Sequence, residues 1–551
     1  MIEFDIILDK VGHCGPYQMF LVFFLYMLGI PAGLHNIASV FFAASVPFRC
    51  HVPPLDDRSL YPNLTESEIL NYTTPYIDDE YNGCKRYGYN LSSCQAPNLS
   101  CVNKDASSIK CDNGYHFETS VFSYTTNMQW SLVCDQKLLG AIATSLFFAG
   151  MWAGAIIFGN LADYIGRRNT MLVSSIGCVI SGISVAFAPW FWLFVVLRFF
   201  VAAFSHASYL IMFVYVVEIT GKKRTISGVH VHTSFAIGYI LNSLVAYLLR
   251  DWRYFYLVIT LTQTPYFLIY FLIPDSPRWH FSNGRDAKGK TISEKFAKHN
   301  RRLITEKDWD EAQVSKTDER LLNRTYTSLD LFKTKKMRLI TFNCMFQWLV
   351  ISMVYYGLSL NAGALAGNIF VNNAVNGLME IMAYFIVQLT MDRFGRRNLL
   401  IAFMELQGLA CIFSTVFTEV AGDNQALQAV GVAFAFIGKV GVGGTFGVIF
   451  NYTAELYPTV IRGNALGVGS MAARVGSIAS PYIILLQDYI SWLPTTIFGV
   501  LSIAAGILAT FFPETMKQTM PQTIPEAELF YKKKYAKRDK NAQLTVELAD
   551  D

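Results

Sequence analysis

The sequence predicts an all-α membrane protein: twelve transmembrane helices in two pseudo-symmetric six-helix bundles, with a disulfide-rich extracellular loop. Three observations carry this expectation. Of the 551 residues, 53% are hydrophobic and only 16% are charged, against about 25% charged in an average soluble domain. The apolar residues gather into twelve runs close to the roughly 20 residues a helix needs to cross a bilayer. A charged turn occurs twice, as Asp163-Tyr-Ile-Gly166-Arg167-Arg168 and Asp392-Arg-Phe-Gly395-Arg396-Arg397, each time between two such runs.

Taken in order, residues 1–16 form an N-terminal segment expected to be cytoplasmic. The first run, 17–44, is too long and irregular for a cleaved signal peptide, and Glu3, Asp5 and Asp9 give it an acidic upstream flank. A loop at 45–137 follows. It holds Cys50, Cys84, Cys94, Cys101, Cys111 and Cys134, while Cys14, Cys178, Cys344 and Cys411 are scattered elsewhere. An even cluster in one loop predicts three disulfides in an oxidising compartment, with the pairing left open. The glycosylation sequons at Asn63, Asn71, Asn90 and Asn98 share this loop and make it extracellular; Asn323 and Asn451 also match the pattern.

Runs at 138–162, 170–189, 190–218, 225–249 and 252–273 complete the N-terminal bundle, 17–273. The split at Pro189 rests on Trp190, Phe191 and Trp192, an aromatic cluster suited to a membrane interface. The central loop, 274–337, is expected in the cytoplasm: residues 274–338 carry 16 Lys/Arg against 10 Asp/Glu, the bias of a cytoplasmic loop. In the cysteine-rich loop acids outnumber bases. Runs at 338–360, 368–391, 398–418, 425–454, 461–487 and 489–512 form the C-terminal bundle, 338–512, and 513–551 is a cytoplasmic tail with basic Lys532–Lys534. An even number of spans puts both termini on the cytoplasmic side of what is expected to be the plasma membrane. The small net charge of +4 leaves no nucleic-acid footprint, and no zinc spacing, P-loop or nucleophile elbow is present. No enzymatic step, cofactor or metal is therefore expected.

The repeated turns suggest a gate. Gly166 and Gly395 suit the backbone of a tight turn. Asp163 and Asp392 end one helix beside the positive dipole end of the next, and Arg167, Arg168, Arg396 and Arg397 lie at headgroup level. Glu218, followed by Lys222, Lys223 and Arg224, ends the fourth run; Glu455, followed by Arg462, ends the tenth. Arg198 and Lys439 recur upstream in the same two runs. Carboxylates and arginines at equivalent places in both halves predict a cytoplasmic latch that makes and breaks.

The turns resemble those of the major facilitator superfamily. Pro274-Asp-Ser-Pro-Arg-Trp279, Tyr356-Gly-Leu358, Thr453-Ala-Glu-Leu-Tyr-Pro-Thr459, Arg474-Val-Gly-Ser-Ile-Ala-Ser-Pro481, Pro513-Glu-Thr515 and the large cysteine-rich loop resemble its organic cation, organic anion and carnitine transporter family, over about residues 10–521. The resemblance implies a major facilitator fold and alternating access to a central cavity. Glu380, in the eighth run, is similar to cation-transporting members; Arg474, in the eleventh, is similar to anion and carnitine members. Charges inside spans usually face a cavity. A guanidinium holds a carboxylate through paired hydrogen bonds, and an ammonium group favours a carboxylate or aromatic faces. Glu380, Tyr209, Tyr355, Tyr356 and Phe446 are the candidates for the second task. The resemblance places Tyr209 in the cavity. An internal Glu380 ion pair, with Arg474 or elsewhere, is the alternative. Sodium-using carnitine members carry a polar residue where this chain has Ala32; His35 and Asn36 are the polar groups nearby and join the substrate-binding candidates, and His230 and His232 lie in the fifth run. The expected function is polyspecific transport of small organic cations or zwitterions, carnitine-like, by alternating access. An organic anion exchanger and a non-transporting membrane receptor are the competing readings. The coupling ion, sodium or proton, and a homo-oligomer stay open.

Overall fold

The computed structural model describes residues 4–531 except 58, 78–79, 90–101, 104–105, 222–223, 314–326, 423, 517 and 519, and leaves the side chains of 54, 77, 80 and 224–230 undescribed. Cys94, Cys101, Asn90, Asn98, Lys222, Lys223, Asn323 and Lys532–Lys534 thus lie outside the described residues, as do the side chains of Arg224 and His230.

Eleven helices among the described residues are long and apolar enough to cross a membrane, and the shorter apolar helix Leu493–Ala509 follows them. This is a multi-pass membrane protein. The first span, Pro16–Phe42, is interrupted at Met27 and Leu28, before Gly29. Below the break Gly33 meets Gly238 of the fifth span: a Cβ at Gly33 would lie 2.2 Å from the Phe235 carbonyl oxygen, and one at Gly238 2.3 Å from that of Ile30. The two backbones touch because neither position has a side chain. The second span (Cys134–Ile165) packs on the fourth (Phe191–Thr220) in the same way, through Gly150 and Gly154 against the carbonyls of Phe199 and Ala203. The third is Arg167–Ala186, the fifth Val231–Leu248 and the sixth Trp252–Leu272. In the second half the seventh to eleventh are Lys335–Gly363, Ile369–Phe394, Arg396–Ala421, Gln425–Leu456 and Thr459–Asp488.

The cysteine-rich loop is not helical throughout. Three two-stranded antiparallel pairs form it: Phe48–Cys50 with Tyr115–Phe117, Lys85–Tyr87 with Ser108–Lys110, and Tyr76–Ile77 with Glu80–Tyr81. Cys50 bonds to Cys111 and Cys84 to Cys134. Asn63 and Asn71 are exposed on it. Arg86 clasps Asp112 bidentately at 2.7 and 2.6 Å. Arg49 bridges Asp56 at 2.5 Å and Glu66 at 3.1 Å. Burial alone would raise the Asp56 carboxyl; the hydrogen bonds from Arg49 and the Val52 N–H outweigh it and hold that carboxyl below its ordinary value. The loop is seated on the first half. Thr126 Oγ1 and Asn127 Nδ2 donate to the carbonyls of Phe42 and Ala43, and Trp130 packs among Phe191, Phe194 and Trp252. Replacing Cys84 and Cys134 together with serine is expected to destabilise the loop by about 2–5 kcal/mol. Limited proteolysis of the purified protein should then cut the loop, with wild type and a Cys178→Ser variant resisting.

Two buried clusters fill the first half, one around Phe158, Ile211 and Tyr215 and one around Phe42, Phe194 and Tyr256; a third, around Trp348, Phe403 and Tyr452, fills the second. Contacts between the halves include a group at the end carrying the cysteine-rich loop. There Lys137 pairs with Asp488, Asn373 Nδ2 donates to Ser243 Oγ at 2.8 Å, and Phe370 lies between Phe41 and Phe122 with Arg250 over its ring.

Candidate functional site

Glu380 and Arg474 lie at mid-span on helices of the second half, and each meets a different set of partners. Glu380 is fully buried. Tyr355 donates to its carboxylate at 3.0 and 2.9 Å, and Tyr384, one helical turn along the same span, donates at 2.8 Å. Lys439 of the tenth span completes the group, with Nζ 3.4 Å from Glu380 Oε2, 2.7 Å from Ser359 Oγ and 3.8 Å from the centre of the Tyr355 ring. The alternative reading of Glu380 as half of an internal ion pair is the geometry present, with Lys439 rather than Arg474 as the partner. Gly443, whose Cβ would stand 3.1 Å from Ala383 and 3.6 Å from Glu380, brings the eighth and tenth spans together here.

Arg474 is half-buried and faces the first half, where its Nη2 lies 2.8 Å from His206 Nε2. It has no carboxylate partner among the described residues, and its Nε is without a hydrogen bond. Tyr356 stands between the two groups. Its ring is 5.1 Å from that of Tyr355, its hydroxyl donates to Asn36 Oδ1 at 3.2 Å, and it packs on Phe148. Tyr209 and Tyr356 lie within electrostatic reach of both Glu380 and Arg474. Tyr209 hydrogen-bonds His232 Nδ1 at 2.8 Å; His232 then packs on Tyr384 and Phe450, and Phe446 on Tyr355. Phe213, Phe450 and Trp348 form an aromatic layer towards the basic end of the bundle.

Of the residues singled out by sequence, Glu380, Arg474, Tyr209, Tyr355, Tyr356, Phe446 and Asn36 are brought together. His35 is not. It packs against Tyr256 of the sixth span near Arg198, with no described contact to Glu380, Arg474 or their tyrosines. Three members of the group, Lys439 as the counter-ion, His206 and Tyr384, were not assigned to it from sequence. Lys439 and His206 carry the signal that could have found them, an ionisable residue inside an apolar run.

The repeated turns fold alike in both halves. Arg167 reaches Glu218 at 2.9 Å and Asp163 at 2.9 Å; Arg396 reaches Glu455 at 3.0 Å and Asp392 at 3.0 Å. Asp163 and Asp392 do not sit on the following helix ends as expected. Their side chains are 74% and 82% exposed, because a different carboxylate takes that place. Asp275 accepts from the Arg168 N–H at 3.4 Å, and Glu514 from the Arg396 and Arg397 N–H groups at 2.9 and 3.1 Å. These carboxylates answer the free amide groups and the dipole at the starts of the third and ninth spans. Arg168 and Arg397 turn away from the latch carboxylates, to the carbonyls of Tyr270 and Phe512. Arg462 reaches Thr459 and Met520. Arg198 and Glu218 are about 30 Å apart along their helix; Arg198 lies buried among Phe42, Phe147 and Phe194 and takes no part in the turn.

The family description "Sugar (and other) transporter" matches residues 98–525. Solute carrier family 22 member 16 of Xenopus laevis is 32% identical, over 94% of this chain and 93% of its own. The organic cation transporter protein of Drosophila melanogaster is 33% identical, over 96% and 95%. Human organic cation/carnitine transporter 2 is 32% identical, over 96% and 94%. Among solved structures, the E. coli xylose transporter XylE in a partially occluded inward-open conformation superposes with a TM-score of 0.60 at 15% identity, over 91% of this chain and 99% of that one.

Proposed function

We propose that this chain, which belongs to the sugar (and other) transporter family together with solute carrier family 22 and the organic cation transporters, is a polyspecific alternating-access carrier of organic cations bearing a carboxylate, carnitine-like in charge layout. The observation that supports this reading most is the unequal state of the two mid-span charges. Glu380 is already answered by Lys439 and two tyrosine hydroxyls. Arg474 has an imidazole beside it but no described carboxylate. The site therefore has an unanswered positive charge, which a substrate carboxylate would meet through paired, charge-assisted hydrogen bonds. The ammonium end would lie against Tyr209, Tyr355, Tyr356 and Phe446, which offer aromatic faces.

The same layout favours a second reading, an organic anion exchanger in which Glu380 and Lys439 are purely structural. Uptake into expressing cells separates the two. A betaine should be taken up well above a simple quaternary ammonium, and a dicarboxylate poorly. A dicarboxylate carried better than the betaine would overturn the first reading in favour of exchange. Repeating the panel without sodium and at two pH values identifies the coupling ion. Under this reading there is no enzymatic step. The protein lies in the plasma membrane with the cysteine-rich loop outside and both termini in the cytoplasm, the halves being units of about residues 17–273 and 338–512. In the present arrangement contacts between halves run from the outer end to mid-span, while each Arg–Glu–Asp latch stays within its own half.

A further inference from the structure

A polar cleft lies outside the central site, at the basic end of the first half. The turn at Gly166, the end of the sixth span and the helices Pro277–Ser282 and Asp286–His299 line an open cleft of about 450 Å³, within the range of small-ligand sites. Arg168, Arg285, Lys288 and Lys295 line it, with Asp275 as the one acid. Asp275 is committed: its Oδ1 accepts from the backbone N–H groups of Arg168 and Ser276. The four cations have no carboxylate partner among the described residues. Arg168 lies on the Tyr270 ring at 4.0 Å and Arg285 on that of Trp279 at 4.9 Å, so both guanidiniums are held in place by aromatic faces. His280 also lines the cavity; it is only 6% exposed, and its Nδ1 has no hydrogen-bond partner. A buried polar nitrogen without a partner is costly unless a ligand supplies one.

The position is as informative as the charge. Phe271 and Leu272, at the end of the sixth span, line the cavity, and Phe271 is 77% exposed on the apolar outside of the bundle. A ligand in this cavity would have its charged part among the basic side chains and an apolar part along the span. We propose that the cavity binds the headgroup of an anionic phospholipid carrying phosphomonoesters, of the phosphorylated inositol type, in the leaflet on the basic side. The inference rests on the reading that the chain spans a membrane, and not on which substrate it carries. Several unpaired cations against one engaged acid suit a multiply charged headgroup better than a singly charged one. Basic pockets between spans on the cytoplasmic side are built for such headgroups.

The test uses the purified full-length protein in detergent, with binding followed by thermophoresis. Dioctanoyl phosphatidylinositol bisphosphate, dioctanoyl phosphatidylserine and soluble inositol trisphosphate are compared. Arg285→Gln, Lys288→Gln and Lys295→Gln are combined in one variant; all three side chains are exposed, and an unchanged melting temperature without ligand establishes that it folds. The bisphosphate lipid should bind, more tightly than phosphatidylserine, and the variant should weaken it at least about tenfold. A His280→Gln variant reports on the buried nitrogen and should weaken binding less. Equal affinity in wild type and triple variant, or no binding of the bisphosphate lipid, overturns the proposal. Phosphatidylserine binding equally well overturns the preference for phosphomonoesters. Inositol trisphosphate matching the lipid transfers the site to a free organic phosphate and overturns the lipid assignment. Since the variant leaves Arg474 and Glu380 untouched, betaine uptake tests the transport reading separately.

Discussion

Arg474→Ala is expected to lower uptake clearance of a betaine by about ten- to a hundredfold, the loss of a charge-assisted hydrogen-bonded pair worth roughly 1.5–3 kcal/mol. A quaternary ammonium without a carboxylate should change little, since nothing in it needs the guanidinium. Arg474→Lys should fall between, because a lysine keeps the charge but cannot form the planar, two-pronged contact. The measurement is initial-rate uptake of both labelled compounds, normalised to surface-labelled protein. Parallel loss of the two substrates in Arg474→Ala would mean that the residue supports the fold through His206 and does not read the substrate's carboxylate.

Glu380→Gln should be the more damaging change for the protein itself. It leaves the Lys439 ammonium, wholly buried, beside a neutral amide. Breaking one partner of a buried pair typically costs about 3–5 kcal/mol. The melting temperature in detergent and the amount at the cell surface should both fall. Combining Glu380→Gln with Lys439→Met removes the stranded charge and should recover most of the stability. The double-mutant cycle then gives the coupling between the two side chains. A cycle that shows no coupling would remove Lys439 as the partner of Glu380 and return that carboxylate to the substrate.

The architecture was legible because membrane crossing writes itself into local composition, and the two-fold repeat because Asp-x-x-Gly-Arg-Arg stands beside a span in each half. Glu380 and Arg474 were visible for the same reason: an ionisable side chain in an apolar run stands out in one dimension. Their pairings were not. Lys439 lies on another helix and belongs to Glu380 only once the eighth and tenth spans close over Gly443; His206 comes from the opposite half. The helix-start carboxylates were misassigned to Asp163 and Asp392 because sequence proximity favours them. The true ones, Asp275 and Glu514, follow the last span of each half, in Pro274-Asp275-Ser276 and Pro513-Glu514-Thr515, which is the repeat that could have revealed them. The strands of the cysteine-rich loop are two or three residues long, too short for an alternating pattern to register.

Those two carboxylates bear on how the machine moves. Asp275 and Glu514 each stitch the final segment of a half to a turn early in the same half, so each bundle is tied off as a closed parcel. Reorientation need not undo either knot. The work of switching falls instead on contacts between the halves, among them Lys137 with Asp488, Asn373 with Ser243 and the Phe370 ring at the end carrying the cysteine-rich loop, so the balance between the two access states should respond to those side chains.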